Sequence, residues 1–500
     1  MNSSMANRYR IFCGISLVLT VAASVRAATC ENLTSLALPH TTITSAQSAN
    51  ADGSASRSQV LPAYCRVSAT IQPTSDSDIK IEVWLPLASW NGNLLANGNG
   101  GWSGSINPRT LAAGLMRGYA SAMSDLGHEG SSASFALGHP EKLVDYGYRA
   151  AHQMAVAAKA IIASYYGHGP KFSYWSGCSA GGRSALMEAQ RFPADFDGII
   201  AGDPGLDWTG RAIQSVWVAQ AAHKSEEAYI PPDKYPLIHE AVLQACDARD
   251  GVKDGVLEDP TLCNFDPAEL QCKGPDNLKC LTPPQVETAR AIYTTVTNPR
   301  TKKAVAPAFE RGSELGWRTM AGPKPFAIGD NLFKYVVFED SNWDYKTFNF
   351  DSDLARTAKT ENGLLNAMDA DLSRFMDRGG KLIQYHGWSD PQIAPSSSVD
   401  YYKRVLETAG GAAKVQSSYR LFMVPGMAHC GGGDGTSSFD MLSALQQWVE
   451  SGKPPDRIDA ARVRNGLTDR TRPLCPYPQV AAYTGSGSTD EAANFSCRVP

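Results

Sequence analysis

Hydrophobic and polar positions follow two different rhythms along this chain. In its first two-fifths and its last quarter, short apolar runs end at glycine or small polar residues. Asn93-Leu94-Leu95-Ala96, Phe172-Ser173-Tyr174-Trp175-Ser176, Gly198-Ile199-Ile200-Ala201, Lys381-Leu382-Ile383-Gln384-Tyr385-His386-Gly387 and Tyr419-Arg420-Leu421-Phe422-Met423-Val424-Pro425-Gly426 all read as strands. Residues 183–190 read as a helix with Leu186 and Ala189 on one face. Strand-helix alternation of this kind predicts an α/β fold built on a doubly wound sheet. Between about Leu206 and Met368 the alternation stops, and aromatics, prolines and cysteines accumulate. That change predicts a large inserted lid domain, residues 206–368, between core segments 28–205 and 369–500. The length of 500 residues agrees with two or three units rather than one.

The N-terminus adds a destination. Arg8 and Arg10 precede an apolar run from Ile11 to Ala23, and Val25-Arg26-Ala27 supplies the small residues of a signal-peptidase site, so 1–27 reads as a signal peptide. The run falls short of the ~20 residues of a spanning helix, and Thr29 before Cys30 fits lipid attachment poorly. A secreted or periplasmic protein is expected. With Cys13 removed, ten of the eleven cysteines remain, an even number that suits five disulfides in an oxidising compartment, although spacing leaves their connectivity open. No paired short cysteine spacing suggests zinc. A net charge of −4, from 46 basic and 50 acidic residues interspersed, gives no basic face for nucleic acid and no polybasic membrane patch.

The chemistry centres on Gly177-Cys178-Ser179-Ala180-Gly181-Gly182-Arg183. A serine between two glycines, after a strand and before a helix, marks a sharp turn on which the hydroxyl stands clear of the backbone. Ser179 is the candidate nucleophile. Such a serine needs a base and an acid to orient that base, and in a wound hydrolase sheet the acid precedes the histidine. Asp390, in the loop after the 381–387 strand, and His429, in the loop after the 419–426 strand, fill these places. His386 competes as base but precedes Asp390, which favours a structural histidine; Asp203, at another strand end, competes as acid. His128 and His139 lie in a loop rich in glycine and serine, where ordering that loop is the simpler role. One oxyanion donor is expected at the amide of Ala180 and another in the early loop Asn97-Gly98-Asn99-Gly100-Gly101-Trp102, with Gly101 preferred over Gly100.

Cys178-Ser179, Asp390 and His429-Cys430, with the glycine-rich early loop and long lid, resemble the tannase and feruloyl esterase family of α/β-hydrolases over nearly the whole mature chain. The resemblance implies a disulfide from Cys178 to Cys430, which would close a loop of 252 residues and fix serine against histidine. It further implies the pairs Cys30–Cys65, Cys246–Cys263, Cys272–Cys280 and Cys475–Cys497.

Within the lid, the segment from Cys246 to Val256 clusters three carboxylates with two glycines, a composition suited to an oxygen cage. By itself it could equally be a solvated acidic loop, since the spacing is not that of an EF-hand. The resemblance implies a structural Ca2+ held by Asp247, Asp250 and Asp254 with the carbonyls of Val252 and Val256, and no organic cofactor. Seven aromatics between Leu332 and Phe350 suit an aromatic acyl group. Most are expected in the lid's own core, with Tyr335 first to face substrate and Ile393 as a second contact. The family implies ester hydrolysis of aromatic acid esters, feruloyl first, with esters on plant polysaccharide among the candidate substrates. Galloyl esters and mono(2-hydroxyethyl) terephthalate are the alternatives, and Lys334, the sole cation of 333–338, is a poor match to the lid arginine of terephthalate hydrolases. A rival from another class is a noncatalytic secreted binding protein, which the intact serine, acid and histidine argue against.

Overall fold

A computed structural model describes residue 1 and residues 28–50 and 61–500. The proposed signal peptide, with Cys13, lies outside the described residues. Nine strands form the main sheet: β1 (Thr41–Ala49), β2 (Tyr64–Ile71), β3 (Ile79–Pro86), β4 (Asn93–Asn97), β5 (Ala120–Ser124), β6 (Phe172–Cys178), β7 (Gly198–Gly202), β8 (Lys381–Gly387) and β9 (Tyr419–Val424). Their order is β1-β2-β3-β5-β4-β6-β7-β8-β9. The first three make an antiparallel meander that joins β5 antiparallel; from β5 to β9 every pairing is parallel.

Parallel strands are covered on both faces, so their side chains need not alternate. Every residue of β4 and of β7 is buried accordingly. On one face, α1 (Pro108–Met116) packs over Trp84 and Met123, and α6 (Met441–Ser451) packs over Leu95, Ile200, Ile383 and Phe422. The opposite face carries α2 (Ala150–Tyr166), α3 (Ala180–Arg191) and α5 (Ser396–Ala409) in one continuous core. Reactive loops gather at the carboxyl ends of β6, β7, β8 and β9, where open α/β sheets place their sites.

The insertion between β7 and β8 begins with α4 (Trp208–Ala222). Part of the insertion has its own core around Val218, Ile238, Val242, Val286 and Trp317. Its ends do not: Leu206, Ala212, Ile213 and Val216, and later Leu332, Phe333, Val336 and Leu365, belong to the main core. The lid is thus rooted in the hydrolase body by its first helix and its aromatic segment. Beyond α6 the chain leaves the sheet for two antiparallel hairpins, Ile458–Arg464 with Leu467–Leu474 and Val480–Tyr483 with Phe495–Arg498. A strand added at that edge would need a further crossover; these hairpins instead reach back to the lid through Arg470 and Arg472, both directed at Asp254.

Candidate active site

Ser179 sits between the last residue of β6 and the first of α3 with φ 62° and ψ −120°. A non-glycine residue at positive φ costs about 1–3 kcal/mol unless its surroundings hold it there. Here Ser179 N donates to Gly202 O at 2.9 Å, and Ser179 O accepts from Arg183 N at 3.0 Å and Gly205 N at 3.1 Å. The early loop presses against the same turn: a Cβ on Gly98 would lie 2.5 Å from Gly181 Cα, so neither position has room for a side chain. This contact brings the Asn97–Trp102 loop to the first turn of α3. There the amide of Ala180, at the helix start, has no intrahelical acceptor. Asn99 stiffens the loop by donating Nδ2 to Ser103 O, Ser105 O and Ser124 O.

Asp390 is fully buried. Its Oδ2 accepts from His429 Nδ1 at 2.6 Å, and its Oδ1 accepts from the amides of Gln392 at 2.7 Å and Ile393 at 3.0 Å. Burial alone would raise its pKa, but the charge of His429 and hydrogen bonds from His386 and His429 hold it well below the usual carboxylate range. Asp203 goes the other way: burial pushes it up, partly offset by His386, and the nearby charge of Asp390 adds to the rise. Its Oδ1 accepts from Gly387 N at 2.8 Å, which ties the ends of β7 and β8 together. His386 is fully buried and meets Ser398, Ile393 and Asp390, so it is enclosed rather than presented to a substrate.

The lid closes over this corner. Trp102 donates Nε1 to Ile328 O at 2.9 Å and packs on Tyr146 and Trp208, while a Cβ on Gly101 would lie 3.1 Å from Ile328 Cδ1. Gly101 has φ 52°, and its carbonyl accepts from Tyr146 Oη at 2.6 Å. Ile393 is buried, with Cδ1 3.6 Å from where a Gly205 Cβ would be, beside the Ser179 turn. Tyr335 is half-buried against the main core, and the other lid aromatics pack on one another: Phe333 on Trp343 and Phe348, Phe338 on Trp343, Phe350 on Trp217. His128 is buried, donating Nε2 to Trp102 O at 2.9 Å and stacked on Phe135, so it orders the early loop; burial lowers its pKa. His139 pairs with Asp76 at the surface.

Two residues near the site carry no sequence motif. Ile328, between Ala327 and Gly329, is one isoleucine among many. Arg211, on α4, is buried over the rings of Trp208 (5.5 Å) and Phe326 (5.0 Å) and donates Nε to Gln392 O at 3.1 Å. Burial drives its pKa down to about 10, against the pull of Asp390. Nothing in the local pattern sets it apart from a surface helix arginine.

The disulfides are Cys30–Cys65, Cys178–Cys430, Cys246–Cys263, Cys272–Cys280 and Cys475–Cys497. The second joins residues adjacent to Ser179 and His429, with their Cα atoms 6.0 Å apart. In the lid, Asp250, Val252, Asp254 and Val256 line a cavity of about 20 Å³, room for one water-sized occupant, together with Glu258, Arg470 and Arg472. Asp247 is buried and accepts from Asp254 N and Gly255 N, closing the loop on itself.

A strained serine after a central parallel strand, a buried acid–histidine pair from the ends of β8 and β9 and helices on both faces define an α/β-hydrolase. The model of the tannase and feruloyl esterase family matches residues 65–498, and the chain belongs to that family. It is 39% identical to an uncharacterized esterase of Xanthomonas campestris pv. campestris over 98% of this chain and 94% of that one. It is 35% identical to a probable feruloyl esterase B-1 of Aspergillus flavus, covering 86% and 85%. The crystal structure of feruloyl esterase B from Aspergillus oryzae superimposes with TM-score 0.86 at 30% identity, covering 94% and 99%. The chain is therefore a carboxylic ester hydrolase.

Proposed function

We propose that the protein is an exported serine esterase for aromatic acid esters, feruloyl esters first, with Ser179, His429 and Asp390 as its catalytic triad. The observation that carries the reading is the 2.6 Å bond between His429 and a buried, strongly acidic Asp390, anchored through Cys430–Cys178 to the strained Ser179 turn. Ser179 Oγ attacks the ester carbonyl while the free ring nitrogen of His429 takes its proton. Asp390, fixed by two amides, keeps the other nitrogen protonated and stabilises the imidazolium. The amides of Ala180 and Gly101 receive the oxyanion. The alcohol leaves with the proton from His429, and water, activated by the same ring, releases the acid and restores Ser179.

The relatives named as feruloyl esterases support a hydroxycinnamoyl acyl group. Tyr335 and Ile393 are proposed as substrate contacts. Lys334 is neutralised by Asp330 at 2.9 Å, which weakens it as an anchor for a free carboxylate and disfavours the terephthalate monoester. Rates on methyl ferulate, methyl gallate and the terephthalate monoester test the choice: the largest kcat/KM is expected on ferulate, and a preference for gallate would make the protein a tannase. Export is supported by the sequence of residues 1–27 and by the five disulfides.

A Ca2+ in the lid completes the proposal. Carboxylates of Asp247, Asp250 and Asp254 with carbonyls of Val252 and Val256 match the oxygen chemistry of that ion, and four of these residues line the same ion-sized cavity. When bound, Ca2+ would supply charge neutralisation for the acidic loop, a structural role shared with Arg470 and Arg472.

A further inference from the structure

His386 is the last residue but one of β8, fully buried, and takes no part in the proton transfers just described. Its Nδ1 is 2.7 Å from Ser398 Oγ on α5. Its Nε2 is 3.1 Å from Ile393 O, 3.2 Å from Asp390 Oδ2 and 3.8 Å from Asp203 Oδ1. All three neighbours are acceptors. A bare ring nitrogen there would set its lone pair against three oxygens in a buried space, so Nε2 carries the hydrogen, and Ser398, whose hydroxyl can donate, satisfies Nδ1. The one Nε2–H thus lies between Ile393 O, its hydrogen-bond acceptor, and Asp390 Oδ2, so two imidazole nitrogens, of His429 and His386, face the same carboxylate oxygen.

We infer that His386 is a positioning residue for ester hydrolysis: its Nε2–H holds Asp390 Oδ2 in line with His429 and stands between the two buried carboxylates, Asp390 and Asp203. The inference rests on the triad reading above. The geometry leaves few alternatives for the carboxylate. Its Oδ1 is held by the Gln392 and Ile393 amides, and Oδ2 would otherwise depend on His429 alone, the group whose motion it must restrain. Other charged or titratable groups facing this cluster are Asp203 from the end of β7, Arg211 from α4, Tyr385 beside Asp203, and His429 from the loop after β9. Without the His386 donor, Asp390 becomes more basic and binds the protonated ring of His429 more tightly, so the neutral base is lost at a higher pH.

Three substitutions separate the donor from its bulk. The amide nitrogen of Gln reaches the place of Nε2; that of Asn reaches only the place of Nδ1; Leu fills space with no donor. His386→Leu and His386→Asn are expected to lower kcat roughly 10- to 100-fold, the loss typical of outer hydrogen-bond partners. KM should be unchanged, and the acid-side half-activity should move up by about half a unit to one unit. His386→Gln should stay within about threefold of the parent, with an unmoved pH profile. Thermal melts accompany each kinetic series. Equal behaviour of Asn and Gln, or a kcat loss that tracks Tm with no change in the acid limb, would overturn the inference, as would parental kinetics in His386→Leu. If His386→Leu fails to fold, the Asn–Gln pair decides alone. Ser179→Ala, measured on the same ester, keeps the triad reading separate: residual parental turnover there refutes that reading, whatever the His386 series shows.

Discussion

Two regions of this molecule bury carboxylates, and they satisfy them in opposite ways. At the corner of Ser179 and His429, Asp390 takes hydrogen bonds from its own loop and from His429, with His386 adjoining, so its charge is shared among three segments. In the lid, Asp247 and Asp250 accept backbone amides from within eight residues of themselves, and the long-range partners Arg470 and Arg472 go to Asp254. The first arrangement fixes an orientation; the second fixes a loop. Under the proposed triad, a buried carboxylate serves catalysis where distant elements converge on it, and architecture where its own turn wraps around it.

Replacing the groups at the first region should do the most damage to activity and little to the fold. Ser179→Ala and His429→Ala are each expected to lower kcat by at least roughly 10⁴-fold with the melting temperature near the parent's, and Asp390→Asn by about 10²- to 10⁴-fold. A nearly active Asp390→Asn beside a dead Asp203→Asn would move the acid to β7 and dissolve the comparison. Next in size is the disulfide between the two catalytic loops. Cys178→Ser with Cys430→Ser frees segments 252 residues apart, and a displacement near 1 Å costs on the order of a hundredfold in rate. Turnover should fall while circular dichroism at room temperature keeps its shape; free thiols at both positions in active enzyme would exclude the clamp.

The lid region should respond through stability instead. Added Ca2+ is expected to raise the melting temperature with concentration and chelator to lower it, and Asp250→Asn should abolish both responses. A melt indifferent to either leaves the acidic loop a purely protein-bound feature. Breaking Cys475–Cys497 should cost about 2–4 kcal/mol of stability and little activity.

The smallest effect concerns Asp203, whose pKa burial raises, against the pull of His386, to about 7. A carboxylate raised in this way keeps its proton in the folded chain after the unfolded chain has lost it. Its stabilising contribution is complete below the ordinary value and is lost as pH climbs through the folded one. Asp203→Asn should therefore gain on the parent between about pH 4 and about pH 8, by a few degrees in Tm. A gain on acidification instead would reverse the assigned sign.

Much of the site was legible in the chain because its signals are local. The Ser179 turn needs small neighbours in sequence, and Gly177, Gly181 and Gly182 supply them; the strand readings around it differ from the observed ends by one or two residues. Cysteines beside the serine and the histidine, together with the acid and the long lid, were enough to suggest the family and its pairings. The run of aromatics from 332 to 350 was legible as apolar, and Phe333, Trp343 and Phe348 are buried core with the other four rings packed against it, but apolarity does not say which ring faces a substrate.

What the sequence determined by itself is the set of elements and reactive groups, since periodicity, turn chemistry and cysteine context act over a few residues. What only the tertiary structure decided is which distant groups meet. Arg211 lies over Trp208 and acts on Asp390, Ile328 caps the Gly101 loop, Arg472 reaches the acidic loop from 218 positions away, and His386 shares an oxygen with His429. Each of these depends on helix packing, strand order and desolvation, and burial is set by elements hundreds of residues apart that no local pattern encodes.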